Sequence, residues 1–158
     1  MIVVSDTSPI NYLLLIGQMD LLPRLFGQIM IPDVVRAEML DPGAPPILQQ
    51  WILSSPSWLI IQDVPILDET LSALDSGEQA ALTLAQSLPA DLLIIDERLG
   101  RQIARDRGIS TIGTLGILDD AGRQGWINLA ESIARLQQTN FRVSHRLIQA
   151  LLNEQPNQ

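Results

Sequence analysis

A chain of 158 residues with 46% apolar residues is long enough to bury the core of one domain and too apolar to be disordered. Its net charge of −8 argues against a protein held on nucleic acid by bulk positive charge, and the lack of cysteine excludes disulfides and thiolate metal sites. No apolar run approaches the roughly 18 residues of a membrane span, and the N-terminus opens on a strand with no basic leader, so a cytoplasmic location and no membrane partner are expected.

In chain order, residues 2–5 read as a buried strand. Ser8-Pro9 predicts a helix through about residue 16, with Ser8 as its N-cap and Pro9 as its first helical residue. A short helix over 19–26 ends at Gly27, and a brief strand follows at 29–31. Pro32 opens a helix to about Leu40, which stops before Asp41-Pro42-Gly43. A proline-rich stretch holds a two-turn helix near 46–54 before a strand at 58–61. Residues 66–74 read as helical, and Ser76 as the cap of a further helix from Gly77 to about Leu88. The apolar run at 91–95 is the clearest strand; a helix over 97–107 then ends at Gly108. A last strand at 110–113, a helix at 114–123 and a helical hairpin over 128–138 and 144–154 complete the chain, with Asn128 and Ser144 as N-caps. One domain over 1–154 and a disordered tail at 155–158 are expected. Strands that alternate with helices predict an α/β fold, a mostly parallel sheet of four or five strands covered on both faces.

Four acids stand where strands end or helices begin. Asp6 closes Ile2-Val3-Val4, and Asp96 closes Leu92-Leu93-Ile94-Ile95. Strand ends of a parallel sheet converge on the edge where α/β proteins bind ligands. Glu38 lies on the helix after the second strand, and Glu78 in the first turn of the helix after Asp75. Each acid also has a plain alternative: turn or cap for Asp6, Glu78 and Asp96, and a solvated helix position for Glu38. As a set, they place carboxylates at successive strand-to-helix junctions. Such a cluster repels itself unless a cation binds, and oxygen ligands suit Mg²⁺ or Mn²⁺.

The segments Val3-Val4-Ser5-Asp6-Thr7-Ser8-Pro9, Pro32-Asp33-Val34-Val35-Arg36-Ala37-Glu38 and Asp96-Glu97-Arg98-Leu99-Gly100-Arg101 resemble, in order and spacing, the motifs of PIN-domain nucleases. Leu74-Asp75-Ser76-Gly77-Glu78, the segment 112–118 and the helical tail are similar to a prokaryotic PIN-like subgroup near the VapC toxins. The resemblance implies a three-layer α/β/α fold and a Mg²⁺- or Mn²⁺-dependent endoribonuclease. It implies Asp6, Glu38 and Asp96 as metal-binding catalytic carboxylates. RNA as substrate, an antitoxin partner and a homodimer follow from the same likeness. The chain departs from the family pattern after its last strand. There many members carry a fourth Asp, whereas this chain has Gly113-Thr114-Leu115-Gly116, and its next acids are Asp119 and Asp120. Glu78 is therefore expected to supply the missing charge and Thr114 to hold a water. A PIN-like module without nuclease activity is the alternative.

All ten basic residues are Arg. Arg98, Arg101 and Arg105 share one helical face, either a phosphate-gripping stripe or a solvated surface. With Ser8 and Thr114, Arg98 and Arg101 are candidate substrate contacts; Arg142 and Arg146 form a weaker pair. His145 reads as a surface residue, and Trp51, Trp58 and Trp126 as core or interface anchors. The apolar residues 13–16 with Leu21, Leu22, Leu25 and Phe26 are a candidate dimer or antitoxin face, or ordinary core. A Rossmann-like nucleotide site is disfavoured because no Gly-rich loop follows any strand. A phosphatase of the paired-aspartate kind is disfavoured because Ser8, not a second Asp, stands two residues after Asp6.

Overall fold

A computed structural model describes residues 1–156. It contains five strands: β1 (Val3–Ser5), β2 (Ile29–Pro32), β3 (Leu59–Gln62), β4 (Leu92–Ile94) and β5 (Thr111–Ile112). They form one sheet in the order β3-β2-β1-β4-β5, and every neighbouring pair is parallel. The chain builds outward from β1 to β2 and β3, then crosses back to lay β4 on the other side of β1 and β5 beyond it. β1 and β4 therefore flank the switch point, in register Val3 with Leu92 and Ser5 with Ile94.

Alternation along these short strands divides the interior in two. Val3, Ile29, Ile31, Leu59 and Ile94 face one cluster; Val4, Leu93 and Ile95 face the other. The first cluster is covered by α1 (Thr7–Leu15), α2 (Leu21–Phe26), α3 (Asp33–Leu40), α4 (Pro46–Leu53), α7 (Thr114–Arg123), α8 (Leu129–Gln137) and α9 (His145–Asn153). The second lies under α5 (Ser76–Ser87) and α6 (Arg98–Asp106). Helices on both faces of a parallel sheet give the expected three-layer α/β/α fold, with α8 and α9 as the C-terminal hairpin.

Several local expectations change. Ser8 is not the cap of α1. Asp6 occupies the N-cap position in extended backbone, Thr7 is the first helical residue, and Pro9 falls two residues further in. Proline is tolerated there because the first-turn N–H groups have no helical partner to lose. Likewise Asp75, not Ser76, caps α5: its carboxylate accepts from Glu78 N at 2.8 Å, and Glu78 Oε1 accepts from Asp75 N at 3.2 Å. This reciprocal pair is a capping box.

Residues 66–74 form no α-helix, only a single 3₁₀ turn at Glu69–Leu71. The side chain of Asp68 caps this turn, accepting from Thr70 N, and also accepts from Thr70 Oγ1, Gln86 and Arg107. Arg107 reaches Asp68 at 3.0 Å and ties this loop to the end of α6. Those bonds hold the Asp68 carboxyl well below its usual range, with the Thr70 hydroxyl first among them.

Gly27 and Gly108 do end their helices, at φ +76° and +77°, a region costly for residues with a side chain. Leu13, Ile16, Leu21 and Leu22 are core, while Leu15 is 40% exposed, so most of the suggested dimer face packs inside the chain. Gln155, assigned to a disordered tail, donates to Asp119 Oδ1 at 2.6 Å. Residues 157–158 of that tail lie outside the described residues. No helix among the described residues is long and apolar enough to cross a membrane.

Candidate active site at the sheet switch point

β1 delivers Asp6 to the C-terminal edge of the sheet. Its backbone N–H still donates to Ile94 O at 3.0 Å, so the chain leaves the sheet only at this residue. The side chain is 4% exposed and makes no capping bond to α1. Burial pushes its carboxyl up to about 8; the Thr7 N–H opposes the shift, and the charges of Glu78, Asp75 and Glu38 add to it. A buried carboxylate is costly unless paired, and no Arg forms an ion pair with it among the described residues.

Glu38 arrives from α3. Its Oε2 accepts the Thr7 hydroxyl at 2.6 Å, which ties α3 to the start of α1. Both of its oxygens lie where a side chain on Gly77 would otherwise project. The missing Cβ at Gly77 therefore leaves room for the Glu38 carboxylate against the first turn of α5. Glu78 is 8% exposed. Burial raises it to about 7, against the lowering N–H of Asp75, and the charges of Asp75 and Glu97 add to the rise. Glu78 thus serves the α5 cap and contributes charge to the Asp6 pocket at once.

Asp96 follows β4 and is not the cap of α6. Glu97 fills that role, accepting from Leu99 N at 3.0 Å and Gly100 N at 2.6 Å. Asp96 is thereby left for other work. Its Oδ1 accepts from Thr114 N and its Oδ2 from Thr114 Oγ1, each at 2.7 Å. A methyl group on Gly113 would come within 2.8 Å of Oδ1, so glycine is required beside it. Burial raises the Asp96 carboxyl, while the two Thr114 bonds and the charge of Arg101 hold it down. Thr114 is fully buried, and its hydroxyl donates to Asp96.

The charges of Glu78, Asp75 and Glu38 bear on Asp6, in that order, and those of Asp75 and Glu97 bear on Glu78. Asp96, at the adjoining strand end, is held by Thr114, with the charge of Arg101 bearing on it. Among the described residues no three acidic or histidine side chains form a ready-made metal cage. The donor set nonetheless fits a hard divalent cation. It offers carboxylate oxygens only, Asp6 is buried without a counter-charge, and Mg²⁺ takes one or two carboxylates and completes its shell with water.

Sequence reasoning missed Thr7, Gly77 and Gly113. Thr7 and Thr114 are each the first residue of a helix, and each orients one acid through its hydroxyl. The hydroxyl pair after Asp6 was the available signal, though it pointed to Ser8. Ser8 makes no side-chain hydrogen bond among the described residues. Arg98 and Arg105 are exposed on α6, and Arg101 is half-buried near Gly113. His145 is exposed at the start of α9. Trp51 and Trp58 pack together at 6.0 Å, and Trp126 lies under Arg24, so none stands as an open stacking platform.

No curated protein sequence matches the chain. Among solved structures, it is similar to a PilT N-terminus domain protein, SSO1118, from the hyperthermophilic archaeon Sulfolobus solfataricus P2. That match has a TM-score of 0.53 at 14% identity and covers 91% of this chain and 100% of the other, a likeness of fold. A family model described as a PIN domain, DUF3368, matches residues 2–156. Over almost its whole length, the chain belongs to the PIN-domain family.

Proposed function

We propose that the protein is a Mg²⁺- or Mn²⁺-dependent endoribonuclease, the cytoplasmic toxin of a type II toxin–antitoxin pair. The observation that carries the hydrolase reading is Asp6, a buried carboxylate at the switch point with acidic neighbours and no cationic partner. Asp6, Asp96 and Glu38 are the proposed ligands, with Glu78 completing the charge of the site. Each oxygen that accepts a threonine bond keeps a second lone pair for a cation. Thr7 and Thr114 fix the Glu38 and Asp96 carboxylates, as outer partners of metal ligands do. A divalent cation held by these carboxylates would supply Lewis-acid polarisation of a phosphodiester oxygen and would lower the pKa of the attacking water. Arg101, beside Gly113, is the proposed contact to the substrate phosphate. The toxin role rests on the motif resemblance, and an antitoxin and a second copy of the chain are the partners it proposes.

A non-catalytic PIN-like module is the second reading. It is favoured by the absence of an acid at 113–116 and of a ready-made cage. The two separate in one assay. Purified protein, freed of any bound partner, is incubated with RNA and Mn²⁺, with chelator and Asp6→Asn as controls. Cleavage that both controls abolish supports the nuclease; no cleavage by the wild type, or equal cleavage by Asp6→Asn, removes it.

A further inference from the structure

Asp96 borders a cavity of about 400 Å³, within the size range of small-molecule sites. The start of α7 forms one wall with Leu115, and the C-terminal hairpin forms the other with Phe141, Leu147 and Leu151. Arg101 and Arg142 stand at its margin. Neither makes an ion pair or side-chain hydrogen bond among the described residues, although the chain carries a net charge of −8. The ring of Phe141 is fixed edge-on against Tyr12 at 4.9 Å. Arg101 also lines a second hollow with Arg98 and Arg105, and Arg105 lines a third with residues 108–111. Three adjoining hollows thus share arginines and lead along α6 to the apolar cavity.

Apolar walls beside unpaired guanidinium groups match a flat heteroaromatic ring that carries a phosphate. Such a ring is available only where a base has left its stack, as in single-stranded RNA. We propose that this cavity is a nucleotide subsite. It seats one unstacked base of an RNA strand against Phe141, Leu147 and Leu151, with its phosphate between Arg101 and Arg142. The neighbouring phosphates lie along Arg98 and Arg105. The choice of RNA rests on the nuclease reading; the recognition of a base and a phosphate does not.

The test uses the full chain in chelator, where no cleavage occurs, and reads the fluorescence anisotropy of a labelled short oligoribonucleotide. Nucleoside monophosphates serve as competitors. Arg142 is exposed and Leu147 is 45% exposed, so Arg142→Ala and Leu147→Asp leave the core intact, which melting temperature verifies. Each variant weakens oligonucleotide and monophosphate binding by roughly tenfold. Arg105→Ala weakens the oligonucleotide alone. Unchanged binding in both cavity variants overturns the subsite. So does a Leu147→Asp variant that only disperses a dimer, which assigns the face to a second copy of the chain. Monophosphates that bind as tightly as the oligonucleotide overturn the strand path. Binding without cleavage on later addition of Mn²⁺ would sink the nuclease reading and leave the subsite standing.

Discussion

Asp6 and Asp96 occupy equivalent places, each one or two residues beyond a central parallel strand, yet their surroundings differ. Asp96 is satisfied: the Thr114 N–H and hydroxyl hold its two oxygens, and Arg101 lies nearby. Asp6 has the Thr7 N–H but no ion-pair partner among the described residues, and burial with acidic charges around it pushes its carboxyl up to about 8. The contrast teaches that strand-end position alone does not make a reactive carboxylate. In the proposed site the acid whose charge the protein leaves uncompensated gains most from a bound cation. Asp96, by comparison, is pre-oriented at low cost.

The largest expected effect breaks the Asp6 side. Unfolded, Asp6 gives up its proton near its ordinary value of 3.8, and folded it does so near 8. Between those values the folded state binds more protons at this site, so the contribution of Asp6 to the stability of the metal-free protein is fullest below about pH 4 and is lost as pH rises toward 8. Glu78, raised to about 7, adds a loss in the same direction. Asp6→Asn removes the buried charge. Its cleavage activity falls to background, while its metal-free melting temperature at pH 8 rises by several degrees and loses much of its pH dependence. Thermal melts across that pH range, on both proteins, check the prediction.

Gly77→Ala is expected next. The new methyl group meets the Glu38 carboxylate, the free end of a flexible side chain, which can swing away. Stability changes by about 1 kcal/mol or less, whereas RNA cleavage falls by roughly 10–100-fold. A variant that loses stability and activity in parallel would mean that Glu38 is structural.

Thr114→Val tests the satisfied side. It keeps the shape and deletes the 2.7 Å hydroxyl bond to Asp96 Oδ2. Leaving that oxygen unpaired costs about 1–3 kcal/mol by chemical denaturation. Glu97→Ala gives the smallest effect, about 1 kcal/mol for a lost N-cap, with cation binding unchanged.

The positions of Asp6 and Asp96 were legible because uninterrupted apolar runs mark buried parallel strands and their ends. The three-layer architecture followed from the same alternation. Two N-caps were misplaced by one or two residues, since Asp and Ser stand within two residues of each other at both sites and compete for one role. In place of the helix expected at 66–74 stands one 3₁₀ turn capped by Asp68, whose other partners, Gln86 and Arg107, are distant in sequence. Which acids neighbour one another was not legible at all. It depends on the packing of α3 against α5, where Gly77 leaves room for Glu38, and on a β5–α7 turn that folds Thr114 over Asp96. Both are tertiary contacts between segments that no periodicity connects.

Titration of the metal-free protein with Mn²⁺ by calorimetry, in wild type, Asp6→Asn and Glu97→Ala, tests the central claim most directly. The account predicts a saturable site in wild type and Glu97→Ala that disappears in Asp6→Asn. Equal Mn²⁺ binding by wild type and Asp6→Asn, or none by either, would contradict it.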